Sequence, residues 1–497
     1  MKVAIIGLGV AGSGILKELI NHQSTERITK IDIYEPNEKL GHGFPYQSDH
    51  KDVQMNSYAQ DLSLHTSKQD DFLDWLQENY PERNFCASDF VSRSIFGQYL
   101  VDRLKPFLSD ERINHFQTKA IDMMPLNREH NAAWNELDKP LQYVIQDEQD
   151  KWSDAYDAVF FAFGHAPYAD HYQLSGHKNY IHDPYPIEKK LGQIDDTKRI
   201  GIIGSGLTGL DTMYFLLKNY KWVHPVTFYI RQHPFTTVKS KRYEGNIQLT
   251  ISEKWLADQK KTYNGQIPLK VIKKQLFSDL KANSVNWIRL IDLYGKGSVF
   301  QVEKSLKEND PELARLQRYL GQLTPLLPEL NMALNPLERK AFWEKEKKTF
   351  EHFRSQMPEN RIQFILDKME QGQARIIKGL DSITSNQDSF KIVTDKMEMY
   401  PADVLINAAG FEKKLVSAGN QDDLIKNLYK REIIIQDGIE DIQVSWPSCQ
   451  VLSKRFGQMD RVYLLGNWIF QTQFGNNNAK LNNKQGQASA KHFMDSL

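Results

Sequence analysis

Two glycine-rich turns, each set between a short apolar strand and an amphipathic helix, constrain this chain more than any other feature. The first, Gly7-x-Gly9-x-x-Gly12, follows KVAII (2–6) and leads into ILKELINH; the next strand, KIDIYE (30–35), ends in Glu35. The second, Gly204-x-Gly206-x-x-Gly209, follows KRIGII (198–203), leads into LDTMYFLLKNY and is succeeded by VTFYIR (226–231). Strand, turn, helix and strand in that order predict a doubly wound parallel sheet at each place, an α/β chain with two Rossmann-like units. The chemistry needs glycine three times in such a turn: for the tight bend, for backbone approach to a pyrophosphate, and for close packing of helix on strand. The helix N-terminus then offers unpaired N–H groups and a positive dipole end to phosphate.

The two units differ where a ribose is read. Glu35 supplies a carboxylate that can accept from a ribose diol, whereas the second unit ends in Arg231, which can clamp a 2′-phosphate in bidentate fashion. Lys239, Lys241 and Arg242 follow soon after and are expected to add positive charge there, which favours NADPH over NADH; the plainer reading makes Arg231 a surface arginine. Two further apolar strands end in glycine, AVFFAFG (158–164) and DVLINAAG (403–410), and a last one, RVYLLGN (461–467), runs into a polar turn and a C-terminal helix.

Composition narrows the classes. The 497 residues carry 63 Lys+Arg against 63 Asp+Glu, so no global field favours nucleic acid. Two cysteines, Cys86 and Cys449, make neither a disulfide framework nor a CxxC pair, and both are expected to be buried small side chains. No His/Cys pattern calls for a metal. No apolar run approaches a membrane span, and the apolar N-terminus lacks a cleavage site, so a cytoplasmic protein without nucleic-acid or membrane partners is expected.

Taken together, Gly7–Gly12, Phe163-Gly164, Gly466-Asn467, Gly204–Gly209 and Ala409-Gly410 resemble, in order, the motifs of flavoproteins whose FAD domain is interrupted by an NAD(P)H domain. Within that group GHGFPY (41–46), VQMNSYAQDLSL (53–64), DFLDWL (71–76), FVSRSIFGQYL (90–100), YIHDPYP (180–186), GSGLTGLD (204–211) and ERKAFWEKEKKTFEHFR (338–354) resemble a bacterial FAD/NAD(P)-binding family related to flavin-dependent monooxygenases and amino-acid N-hydroxylases. The resemblance implies FAD held by Gly7, Gly9, Ala11, Gly12, Glu35, Asn56, Gly164, Gly466 and Asn467, and NADPH held by Gly204, Gly206, Gly209, Arg231 and Gly410. It also implies a small-molecule substrate and, for a monooxygenase, a flavin C4a-hydroperoxide as the oxygen donor. Asn467 stands where an aspartate is usual. Gly176…His182-Asp183-x-Tyr185 matches the fingerprint of class B monooxygenases only loosely.

Residues 1–190 (with a mixed insert at 40–115) and 416–497 are expected to form the FAD domain, 191–240 with 371–415 the NAD(P)H domain, and 241–370 a mainly helical insert that can serve as a substrate lid. In that insert a long helix is predicted over 334–357 after Pro336, with a solvated charged face. Arg354 in it could bind an anion. His182 and Asn56 are the candidates for catalytic roles, His182 in proton transfer or NADP⁺ contact and Asn56 beside the flavin ring; each has a plain reading as a turn residue. A monooxygenase, a flavin reductase or oxidase, and a non-catalytic dinucleotide sensor all remain open. Neither the substrate nor the oligomeric state can be read from the sequence.

Overall fold

The computed structural model describes residues 1–65, 68–126, 142–436, 442–475 and 478–497. Its central element is the strand Lys2–Ile6, whose Val3, Ala4, Ile5 and Ile6 are all buried. A strand apolar on both faces belongs inside a parallel sheet covered on both sides. It pairs in parallel with Lys30–Tyr34 on one side (Val3 opposite Ile31) and Ala158–Phe161 on the other (Val3 opposite Ala158). The sheet has seven strands, in the order Val444–Ser445, Gln450–Ser453, Gly457–Leu464, Ala158–Phe161, Lys2–Ile6, Lys30–Tyr34 and Ile113–Phe116.

A second sheet is wholly parallel and runs Ala374–Lys378, Val226–Ile230, Ile200–Ile203, Val404–Asn407 and Tyr180–Ile181. The helix Glu359–Glu370 packs in its core through Ile362, Ile365 and Leu366, beside Leu210 and Met213 of the helix Leu207–Asn219. A three-stranded antiparallel sheet (Leu380–Ser385, Phe390–Thr394, Met399–Ala402) flanks it. The strands Ala120–Leu126 and Gln142–Asp147 pair as an antiparallel hairpin.

Between 240 and 370 the described residues form helices and no strand. These helices have their own core, with Leu290, Leu313, Leu316, Tyr319 and Phe353, into which Phe474 from the C-terminal part inserts. The single helix predicted over 334–357 is two. One begins as expected at Pro336, capped by Asn335, whose Oδ1 accepts from the Glu338 N–H at 2.9 Å; it ends at Lys345, and a second runs Lys347–Arg354. The break at Glu346 lets Phe342 and Phe350 both reach the Phe474 ring, at 5.6 and 5.8 Å, which a straight, solvated helix would not need to do.

The C-terminal helix Ala479–Asp495 lies against the helix Val10–Asn21 with almost no gap. A Cβ on Gly14 would sit 2.3 Å from the Asn483 carbonyl oxygen, and one on Gly486 would sit 2.2 Å from that of Ala11. Gly14→Ala is therefore expected to cost about 1–3 kcal/mol through overpacking. Gly321→Ala, at an exposed helical position with nothing within 4 Å of the new Cβ, should be neutral or stabilising. Urea denaturation of both variants checks the contrast.

Candidate functional site

Both glycine turns fold the same way. Gly7 and Gly204 have φ of 89° and 94°, a left-handed conformation that only glycine adopts without strain. Each donates its N–H to the end of the neighbouring strand, Gly7 to Tyr34 at 2.8 Å and Gly204 to Tyr229 at 3.0 Å. Gly12 and Gly209 let the helices close on the turns: a Cβ would come within 2.2 Å of the Gly7 oxygen and 2.5 Å of the Gly204 oxygen. The helices Val10–Asn21 and Leu207–Asn219 begin at Gly9 and Gly206 with no acidic residue in the first turn, so their positive ends are not neutralised from within. The backbone oxygen of Ala11 lies under Gly486 of the C-terminal helix.

The cradles are open where a ligand backbone would pass. A Cβ at Gly164, Gly206 or Gly410 would meet no atom within 4 Å, and at Gly9 only Gly43, which belongs to the GHGFPY segment crossing the first turn. Glu35, at the rim of the first turn, is 9% exposed; its carboxylate accepts from the Leu8 N–H at 3.1 Å and from both the backbone and side-chain nitrogens of Asn37. The carboxylate thus braces the turn and keeps lone pairs for a further donor.

The two cradles adjoin. The residues after their strand-end glycines, His165 and Phe411, stack with ring centroids 4.0 Å apart, and Tyr168 lies 4.9 Å from the Phe411 ring. Backbone bonds fasten the same seam: Ala169 N–H to Gly410 O at 2.9 Å and Glu412 N–H to Pro167 O at 2.8 Å. Burial holds the His165 imidazole below the usual histidine range, so a neutral ring makes this stack. Asn407, 1% exposed, donates to the oxygens of Ala169 and His182 and fixes the returning chain.

Gly466 and Asn467 return the chain to the first cradle: the Asn467 N–H reaches the Gly164 oxygen at 3.3 Å, and the residue is half-buried. Next to it Trp468 packs 5.7 Å from the Phe163 ring and buries an indole N–H that has no protein acceptor. Both ring nitrogens of His182 are likewise buried without a partner, between Tyr168 and Tyr180. A buried donor left unpaired is costly, so such atoms mark where a bound group completes the structure. Asn56 lies in the loop after Met55, half-buried, and shares no hydrogen bond or ring contact with His182 among the described residues. In the segment 471–483, residues 476–477 lie outside the described residues.

The basic residues expected to gather at the 2′-phosphate position part company. Arg231 is exposed directly after the strand Val226–Ile230, beside Tyr172. Lys239 instead lies over the Tyr58 ring at 3.9 Å, and Arg242 faces Asp61 at 3.4 Å. Arg354 is engaged by Glu351 (2.9 and 3.0 Å) and the Gly475 oxygen, and His352 by the Tyr294 oxygen at 2.8 Å; both brace the helical part instead of facing an anion. Cys449 is buried, its thiol pushed up to about 12 by desolvation, whereas Cys86 is exposed, contrary to expectation. Among the described residues no group of His, Cys, Asp or Glu could hold a metal, and no helix is long and apolar enough to cross a membrane.

One cluster joins residues far apart in the sequence and had no motif to mark it as a unit. Asp211, 2% exposed, stands two residues past Gly209 and accepts from Arg361, from Arg93 at 2.8 Å and from the Tyr185 hydroxyl at 2.8 Å. Arg361, 1% exposed, also donates to the Asp52 backbone oxygen, and Arg93 to that of Gln54 at 3.1 Å. The Asp52 carboxylate takes Lys218 at 2.7 Å and Asn219 at 3.1 Å from the far end of the same helix. This clamp fastens the loop carrying Asn56 to the helix that opens the second cradle. Arg93, Tyr185, Asp211, Asp52 and Gln54 lie in or beside segments that carried the family resemblance; Arg361 stood in none, and nothing in its local pattern marked it.

Residues 4–166, the first third of the chain, match a family model described as FAD-NAD(P)-binding. A curated relative, the uncharacterized protein YdhS of Escherichia coli K12, is 23% identical over 223 residues, 42% of this chain and 38% of its own length. The matched stretch thus spans well under half of that relative. Three solved structures share the fold along nearly the whole chain. The ornithine N-hydroxylase of Kutzneria sp. 744 has TM-score 0.59, 12% identity, and 99% and 98% of the two chains covered. The ornithine hydroxylase PvdA of Pseudomonas aeruginosa has 0.61, 10%, and 99% and 98%. The L-lysine 6-monooxygenase of Pseudomonas syringae has 0.59, 11%, and 100% and 99%. The chain thus shares the fold of these three enzymes over nearly its whole length.

Asp211→Ala would leave two buried guanidinium groups without their shared carboxylate, and is expected to cost about 3–5 kcal/mol. Arg361→Met, which leaves Asp211 paired with Arg93 and Tyr185, should cost less. Equilibrium denaturation of the two variants measures the order.

Proposed function

We propose that this protein is an FAD-dependent, NADPH-using oxidoreductase, a monooxygenase acting on a small molecule, with N-hydroxylation among the reactions open to it. The observation that carries this reading is the pair of open glycine cradles whose strand ends meet in the His165–Phe411 stack, since two dinucleotides held there would have their ring ends directed to one seam. The fold shared with ornithine and lysine hydroxylases supports it.

The residues present fit both cofactors. Gly7, Gly9 and Gly12 with the helix N-terminus at Val10 would take the FAD pyrophosphate, and Glu35 the ribose diol. Gly164, Gly466 and Asn467 would flank the flavin chain, and the unpaired Trp468 N–H would find an acceptor on it or on its substrate. Gly204, Gly206, Gly209 and Gly410 would cradle NADPH in the same way, with Arg231 free at the strand end for the 2′-phosphate. Bound flavin supplies the redox and oxygen chemistry. The protein's own tasks are to orient the rings, to exclude water, and to steady protons. Asn56 and His182 would serve the last of these, His182 through a buried ring nitrogen that has no protein partner. The helical body between 240 and 358, tied to the C-terminal part through Phe474, would serve as the lid that keeps solvent from the seam.

Arg231→Ala is expected to raise the KM for NADPH at least about tenfold, the loss of one bidentate charge-assisted contact, with little change for NADH. Equal effects on both coenzymes would remove Arg231 from the 2′-phosphate. The monooxygenase reading itself is tested by reducing the flavoprotein with NADPH without oxygen and then admitting oxygen. Reoxidation slowed by retained NADP⁺, with less than stoichiometric peroxide in the presence of substrate, is expected. Immediate reoxidation with stoichiometric peroxide in every case would favour a reductase or oxidase.

A further inference from the structure

Lys239 is set where three parts of the chain meet. Its backbone is pinned at the entry to the helical body: the Lys239 N–H donates to the Met357 oxygen at 2.9 Å, and the Met357 N–H to that of Thr237 at 2.9 Å, so the entering and leaving segments are fastened together. Gln317 of the helical body secures the flanking residues, accepting from the Ser240 N–H at 2.9 Å and donating to the Val238 oxygen at 2.7 Å. The side chain crosses to the flavin-side insert and lies on two aromatic rings, Tyr58 at 3.9 Å and Phe90 at 5.7 Å. Tyr58 stands two residues after Asn56, in the loop that the clamp ties to the helix Leu207–Asn219.

The ammonium is half-buried, and no hydrogen bond or ion pair satisfies it among the described residues. The nearest charges do not supply one: Arg242 is itself paired with Asp61 at 3.4 Å. Ring faces attract a cation but do not replace the hydrogen bonds it gives up in water. Burial accordingly lowers this lysine to about 8, with Asp61 opposing the shift only in part. A rigidly held cation, partly stripped of water and facing aromatic surface, is a receptor for an anion.

We infer that Lys239 anchors an anionic group, a carboxylate in the first instance, of the small molecule that this site oxidises, with the Tyr58 and Phe90 rings bearing the adjoining apolar part. The inference rests on the functional reading above and narrows its substrate to anionic small molecules. A coenzyme phosphate is the competing anion; the seat of the ammonium on the faces of the Tyr58 and Phe90 rings, which offer apolar surface and no phosphate donor, favours the substrate.

The test uses the FAD-loaded protein and two probes of equal length, hexanoate and hexanamide, read by perturbation of the flavin absorbance and by calorimetry. Wild type is expected to bind hexanoate at least about tenfold more tightly than hexanamide, the equivalent of one charge-assisted hydrogen bond. Lys239→Met should abolish the difference, and Lys239→Arg should keep part of it, which guards against mere loss of folding. Failure of wild type to discriminate, or discrimination that survives in Lys239→Met, overturns the inference. So does a Lys239→Met protein that responds to hexanoate as wild type does but needs far more NADPH for flavin reduction, which would assign the lysine to the coenzyme. A wild-type protein that takes up no flavin would instead sink the functional reading on which the inference stands.

Discussion

The Asp211 carboxylate is the contact on which the arrangement of the halves depends. It is almost wholly buried, and two guanidinium groups and a phenol converge on it from three separate stretches of chain. A buried charge is tolerable only when partners meet it, so the packing of these stretches is tied to the cluster. Its partners dictate the geometry. Arg93 and Arg361 reach past Asp211 to the backbone at Gln54 and Asp52, and the helix carrying Asp211 begins at Gly206. One cluster therefore joins the second glycine turn to the loop expected beside the flavin.

The His165–Phe411 stack does the complementary work at the other end of the strands. It follows directly from the two strand-end glycines and is fastened by backbone bonds on either side. With clamp and stack in place, the mutual orientation of the cradles is built into packed side chains and does not rely on a ligand to impose it. The duplicated local geometry, from the φ values of Gly7 and Gly204 to the open faces of Gly164 and Gly410, makes each cradle competent for the same kind of ligand. Difference enters at the rims, Glu35 at one and Arg231 at the other.

Much of this was legible in the sequence because it is local. Strand, glycine turn and helix declare themselves within a dozen residues, since the constraints on each turn come from its own backbone and the helix it opens. Glu35 and Arg231 were legible for the same reason, as strand-end positions at a fixed place in the unit. What escaped was long-range. Asp211 and Arg361 are 150 residues apart and meet only when the helices Leu207–Asn219 and Glu359–Glu370 pack. Lys239 looked like part of a basic run with Lys241 and Arg242, and its departure toward Tyr58 is set by the pairing of Val238 with Met357, across the whole helical body. The break at Glu346 likewise answers to Phe474, a residue far downstream.

Two dinucleotides meeting at one seam are the core of the proposed function, and an anaerobic titration of the purified protein measures that meeting most directly. One flavin per chain, bleached fully by a single equivalent of NADPH, is the predicted result. Protein that retains no flavin, or flavin that NADPH leaves oxidised, would contradict it.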